Sequence, residues 1–170
     1  MLRLIASAKR CTRLPIAAAR KRETFRFRAN IVASMPNDGA KADFQLYNAL
    51  NIARGDKSAY ARQALENFNF FGAPHVAIVT TDEALGVYGA VDCGAYVANF
   101  LLAAEALGVA TVPQASLAFY SHVVRGHFGL ESDRKIVCGI SFGIANTEHP
   151  ANGFRTNRAE VADVVSFVGD

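Results

Sequence analysis

The side chains best suited to chemistry are scattered along this chain. Its four histidines, His75, His122, His127 and His149, show no paired metal-ligand spacing. His122 and His127 lie five apart, which does not align them on one helix face. The three cysteines, Cys11, Cys93 and Cys138, are widely separated and odd in number. Neither a disulfide framework nor a zinc site follows, and a reducing compartment is the natural reading. Cys93 and Cys138 stand among apolar residues and read as inert core thiols. No Gly-x-Ser-x-Gly elbow, P-loop or Gly-x-Gly-x-x-Gly fingerprint is present. Acidic residues are few, so a hydrolase reading has little support. The ordinary catalytic constellations are weak here, no metal site is expected, and what remains points to a bound cofactor that supplies the reactivity.

Two stretches could hold one. Thr111-Val112-Pro113-Gln114-Ala115-Ser116-Leu117 leaves a strand and enters a helix. Such a junction offers free backbone N–H groups and a positive dipole end, suited to the electron-rich N1–O2 or N5 edge of a flavin. The plain alternative is a strand-to-helix turn with no ligand. Arg155-Thr156-Asn157-Arg158 carries two arginines spaced to close on a phosphate. Here the alternative is a solvated tail.

The elements that must position these stretches follow from periodicity. Tyr60, Ala61, Ala64, Leu65 and Phe68 predict a helix from about Lys57 to Phe68, stopped at Phe71-Gly72-Ala73-Pro74. His75 to Thr81 reads as a buried strand. A helix from Asp92 to Leu107 follows, with Asp92 as N-cap and Gly108 just past its end. Val97, Phe100, Leu101, Ala104 and Leu107 form one apolar face. The other faces are apolar too, so this helix is buried on several sides, in a domain centre or a subunit interface. Val109 to Val112 is a short strand ending at Pro113. A helix from about Leu117 to Phe128 and a continuously apolar strand from Ile136 to Ile144 come next. Asn146 to Thr156 is irregular, and Arg158 to Val168 closes the fold as helix or strand. Alternating helices and buried strands imply a sheet covered by helices.

Composition supports one compact globular chain, with 51% hydrophobic and 19% charged residues among 170. The net charge of +3 misleads. Basic residues crowd the start, from Arg3 to Arg28, where Glu23 is the only acid before Asp38. The remainder is slightly acidic and shows no basic face with stacking aromatics, which argues against nucleic acid. Residues 1–40 read as a basic extension, or as a mitochondrial transit peptide. Residues 41–170 read as the folded domain, its body continuous from about Phe44 after a break at Pro36-Asn37-Asp38-Gly39. No stretch reaches the roughly 20 apolar residues that span a bilayer. The location expected is cytoplasmic, or mitochondrial if the start is a targeting signal.

An ordered set of short motifs resembles the nitroreductase family, in its nitrobenzoate-reductase-like branch. The set begins with Leu46-Tyr47-Asn48-Ala49-Leu50-Asn51-Ile52 and Arg54-Gly55-Asp56, then Glu66-Asn67-Phe68 and Phe70-Phe71-Gly72-Ala73-Pro74-His75. Tyr88-Gly89 and Asp92-Cys93-Gly94 follow, then Gly108, Pro113-Gln114-Ala115-Ser116-Leu117-Ala118 and Gly139-Ile140-Ser141-Phe142-Gly143. It closes with Ala151-Asn152-Gly153-Phe154-Arg155-Thr156-Asn157-Arg158. The resemblance implies an α+β fold of nitroreductase type, a central mixed sheet flanked by helices. It implies FMN held at a homodimer interface formed largely by the apolar helix, with NADH or NADPH as electron donor. Nitroaromatics or quinones would be the substrates. Pro113, Gln114, Ala115 and Ser116 match the stretch along the flavin ring. Arg158, with Arg155 beside it, matches a phosphate ligand.

Departures from the family pattern stand beside the matches. Many members have Glu-Gly where this chain has Ala115-Ser116, so the contact to the flavin N5 must come from backbone here, or be altered. Arg22-Glu23-Thr24-Phe25-Arg26 fits the family's Arg-x-Ser-x-Arg/Lys phosphate grip, through Arg22, Thr24 and Arg26. The Asn-x-Gln-Pro-Trp stretch that reads the flavin pyrimidine has no counterpart, and the chain contains no Trp. The alternative function is therefore a truncated, non-catalytic member acting only as a dimerising or interaction module.

Overall fold

A computed structural model of the chain describes residues 3–7, 38–166 and 168, and side chains from residue 42 onward. The chain divides into two compact units, one made of Met1–Ala29 and Ala61–Ala145, the other of Asn30–Tyr60 and Asn146–Asp170. Helix α2, Lys57–Leu65, crosses the division.

The first unit is a four-stranded sheet in the order β1-β2-β4-β3. Its strands are β1 (Arg3–Ser7), β2 (His75–Asp82), β3 (Ala110–Gln114) and β4 (Arg134–Gly143). Between β2 and β3 runs α3, Gly86–Ala106, and between β3 and β4 runs α4, Ser121–Phe128. Every described pairing is antiparallel, where a mixed sheet was expected. The reason is where β4 sits. β2 and β3 run the same way, but β4 lies between them and opposes both, so no parallel ladder forms. The α+β class and the helical cover stand.

Both faces of the sheet are covered, which is why β2 and β4 read as unbroken apolar runs rather than alternating ones. On one face Val76, Ile78 and Ile136 pack with Phe70, Leu117 and Val124. On the other, Ala77, Val79, Cys138 and Ile140 pack with Cys93 of α3, backed by Val97, Phe100 and Leu101. Each large side chain enclosed here contributes about 1.5–3 kcal/mol of transfer free energy. Ile136 and Cys138 have the spacing that normally puts residues on one face, yet they serve opposite faces. A bulge explains this: Val79 pairs with Cys138 and Thr80 with Ile136, leaving Val137 extra.

The helix boundaries differ from those expected. α3 begins at Gly86, so Asp92 lies inside it and is no N-cap. Asp82 caps instead, its carboxylate accepting from the Ala84 N–H at 2.9 Å at the start of the short 3-10 turn before α3. Gly108 does follow the helix, at φ +69. Leu107 is 81% exposed and does not join the packed face. The stretch Glu83–Ala106 is long and apolar enough to cross a membrane by length and composition, which corrects the expectation that none is. The predicted helix to Phe68 ends at Leu65 and tightens into a 3-10 segment, Glu66–Gly72, with Leu65 itself 52% exposed. Phe70 and Phe71 there adopt left-handed φ of 55° and 51°, uncommon for bulky residues.

In the second unit α1 spans Asp38–Ala49, so Asp38-Gly39 open a helix where a break was expected. After α1 comes a tight loop to Asp56, which caps α2: its Oδ1 accepts from Ala59 N–H at 2.9 Å and from Ser58 Oγ at 3.0 Å. The tail holds a 3-10 turn at Pro150–Asn152 and a one-turn helix α5, Val161–Val164.

Candidate functional site

The strand-to-helix stretch lies wholly in the first unit. β3 is an edge strand, bonded only to β4, with Pro113 opposite Ile140 and Gln114 opposite Gly139. Proline has no N–H to give a ladder, so an edge is where a strand tolerates it. Pro113 and Ala115 are exposed and Ser116 is half-buried. Gln114 differs: it is 2% exposed. Its Nε2 donates to the Asn67 carbonyl at 2.6 Å, and its Oε1 accepts from the Ser141 hydroxyl. Gln114 therefore ties β3 to β4 and to the 66–72 segment, and its side chain is turned away from any ligand on the open edge.

The expected helix start is not an α-helix. Ala115–Tyr120 is a six-residue 3-10 segment, entered from extended Gln114 without a side-chain cap, and α4 follows it. A short 3-10 turn sums few peptide dipoles, so the macrodipole argument weakens. What the junction offers is backbone at the edge of the described sheet beside a small residue, Ala115.

Arg155 and Arg158 lie in the second unit, both exposed. Arg155 Nη1 donates to the carbonyls of Asn152 at 3.0 Å and Phe154 at 2.8 Å. Arg158 Nη1 donates to the Thr156 carbonyl at 3.0 Å, the Thr156 hydroxyl at 2.6 Å and the Asn157 carbonyl at 3.3 Å. These local bonds fix each guanidinium through one nitrogen and leave its remaining N–H groups to face an anion. Asn157 N–H also donates to Gln45 Oε1 at 3.4 Å, linking the tail to α1 within the same unit. Arg22, Thr24 and Arg26 lie outside the described residues.

The thiols behave as core residues. Cys93 is fully enclosed and Cys138 nearly so, and both are free. Burial pushes the Cys138 thiol up to about 11, with Cys93 adding in the same direction. Burial also raises Cys93, opposed by a hydrogen bond with Thr81. Neither is an activated nucleophile. Among the described residues no cluster of three or more His, Cys, Asp or Glu could hold a metal.

Sequence reasoning assigned no role to one further feature. In the second unit a cavity of about 280 Å³ is lined by Phe44, Tyr47, Asn48, Ile52, Arg54 and Tyr60. Tyr47, Asn48, Ile52 and Arg54 fall in motifs already noted for the resemblance, Leu46–Ile52 and Arg54-Gly55-Asp56, while Phe44 and Tyr60 lie outside them. Their convergence depends on the loop between α1 and α2, which periodicity does not reveal.

An antiparallel sheet covered on both faces and a long helix with a bare apolar side define an α+β domain. The chain belongs to the nitroreductase family, whose model matches residues 7–144. It is 40% identical over 129 residues to the nitroreductase NfnB of Mycolicibacterium smegmatis, covering 75% of this chain and 55% of that protein. It is 32% identical over 123 residues to the 4-nitrobenzoate reductase of Pseudomonas putida, covering 72% and 54%. The chain thus spans about half the length of the curated relatives it matches. Its structure is similar to that of the FMN-dependent nitroreductase NfnB from Mycobacterium smegmatis in complex with NADPH. The TM-score is 0.83 with 31% identity, over 99% of this chain and 78% of that one. The FMN and NADPH-dependent NfnB of a Sphigopyxis strain shares the fold at TM-score 0.88 and 22% identity, over 99% of this chain and 80% of that one.

Proposed function

We infer that this chain binds FMN and acts as a homodimeric NAD(P)H oxidoreductase that reduces nitroaromatic or quinone-like substrates. The observation that carries this reading is the open β3 edge, with Gln114 sealed inward and Pro113 and Ala115 bare. Pro113, Ala115 and Ser116 carry no charge and stand beside the backbone polar groups of the edge, which fits the ring and edge of an isoalloxazine. Arg155 and Arg158 would hold the phosphate through their unused N–H groups, joined by Arg22, Thr24 and Arg26. When bound, FMN supplies the two-electron chemistry between nicotinamide and acceptor. The chain's own residues bind, orient and exclude water, and no side chain acts as acid or base.

Dimerisation follows from α3. Its packed stripe faces the sheet, while Val87, Tyr88, Val91 and Leu102 are 62–82% exposed. Such a bare apolar stripe marks an interaction surface, and the fold favours a second copy of the chain. The free, buried thiols agree with a cytoplasmic location.

The test is a visible spectrum of the purified chain after FMN addition and desalting. A retained flavin band that bleaches with NADPH and recovers with a nitroaromatic is the expected result. A colourless chain that rejects FMN overturns the reading.

A further inference from the structure

The cavity in the second unit has no part in the flavin reading, and its chemistry is specific. Among the described residues, three aromatic rings and Ile52 line it, with Asn48 as an amide and Arg54 as the only charged side chain. Tyr47 and Tyr60 stack on each other, centroids 4.4 Å apart and 25° between planes, and so form one continuous wall. The Arg54 guanidinium lies 5.3 Å from the Phe44 centroid. No carboxylate pairs with Arg54 among the described residues.

The cavity is also preformed. Asn51 takes a left-handed φ of 55° and Gly55 one of 90°, and the loop between them is pinned at both ends. Ile52 N–H donates to the Tyr47 carbonyl at 2.8 Å, and Gly55 N–H donates to the Tyr60 hydroxyl at 2.9 Å. That hydroxyl accepts from Gly55 and keeps its own proton to donate. Asp43 acts on Tyr47, which burial chiefly holds protonated above its ordinary range, but Asp43 is exposed and outside the lining.

From these observations we propose that the cavity is a binding site for a planar aromatic carboxylate. The ring lies against the aromatic wall and the carboxylate meets the guanidinium of Arg54, which pairs with no carboxylate among the described residues. A cation is disfavoured by Arg54, and a neutral ring leaves the guanidinium without its partner. The aromatic lining disfavours a small hydrated anion, which brings nothing to replace the water on the rings.

The probe is 2-naphthoate, fluorescent and not reducible by a flavin, titrated into the full chain with and without saturating FMN. We expect saturable binding with a Kd below about 1 mM, unaffected by FMN. The neutral 2-naphthamide should bind about tenfold more weakly or worse, as expected for loss of a charge-assisted hydrogen bond. R54Q should reduce naphthoate to the level of the amide and leave the amide unchanged. Absence of saturable binding, equal affinity for acid and amide, indifference to R54Q or displacement by FMN each overturn the proposal. The acid-to-amide comparison needs no variant, so a poorly folding R54Q leaves the test intact. A chain that rejects FMN yet binds 2-naphthoate leaves this proposal standing and fails only the flavin reading.

Discussion

Ser141 on β4 donates its hydroxyl to the side-chain carbonyl of Gln114 on β3, and both side chains are enclosed, at 1% and 2% exposure. A buried amide acceptor that loses its only side-chain donor retains the full cost of desolvation. Ser141→Ala should therefore destabilise the chain by about 1–3 kcal/mol, read as a lower urea midpoint. Combining it with Gln114→Leu should cost less than the sum of the single changes, because both partners are then apolar.

Gly139 sits where a Cβ would fall well inside van der Waals contact of the Leu117 side chain. Leu117 is fully enclosed and has nowhere to move. Gly139→Ala should cost about 1–3 kcal/mol through overpacking. Gly126, within α4, would place its Cβ in open space. Gly126→Ala should stabilise by about 0.5–1 kcal/mol. Thermal melts of the two variants should shift in opposite directions.

The Cys138 proton is held more tightly in the folded chain, with its thiol at about 11 against an ordinary 9.0. A raised folded value means this contribution to stability is complete below pH 9.0 and is lost as pH climbs toward about 11. Cys138→Val should flatten that part of the stability profile. Thiol-specific reagents at neutral pH should label Cys138 only after denaturation.

Arg158 keeps N–H groups available beyond its bonds to Thr156 and Asn157. Arg158→Ala should weaken FMN retention by about tenfold to a hundredfold, the range expected for one charge-assisted contact. Fluorescence quenching of titrated FMN measures it. A chain whose flavin affinity is indifferent to both Arg155→Ala and Arg158→Ala does not hold the phosphate there.

Leu102 is 71% exposed on the bare stripe of α3. Leu102→Glu should leave the folded unit intact and shift the chain from dimer to monomer in light scattering. A chain that is monomeric before the change contradicts the pairing inferred from this helix.

The two central strands were legible because burial on both faces demands uninterrupted apolar residues, and β2 and β4 supply them. The long helix was legible too, but its start was not. Asp92 has the side chain of an N-cap, and only the turn made by Asp82 shows that the helix is already under way six residues earlier. The bulge at Val137 could not be read, because β4 is continuously apolar from Ile136 and its faces exchange without any break in the sequence pattern. Gln114 was singled out by its place between strand and helix. Its inward orientation depends on a hydroxyl 27 residues away, a pairing with no local signature. Four of the residues lining the second unit's cavity, Tyr47, Asn48, Ile52 and Arg54, were quoted as motif and not as site, because loop closure between α1 and α2 brings the lining together.

Pro113 has a consequence beyond the site it borders. An exposed strand rim normally invites another chain to extend the sheet, the first step toward cross-β aggregation. A proline in mid-rim withholds the donor such growth requires. β3 is thereby a poor template for polymerisation.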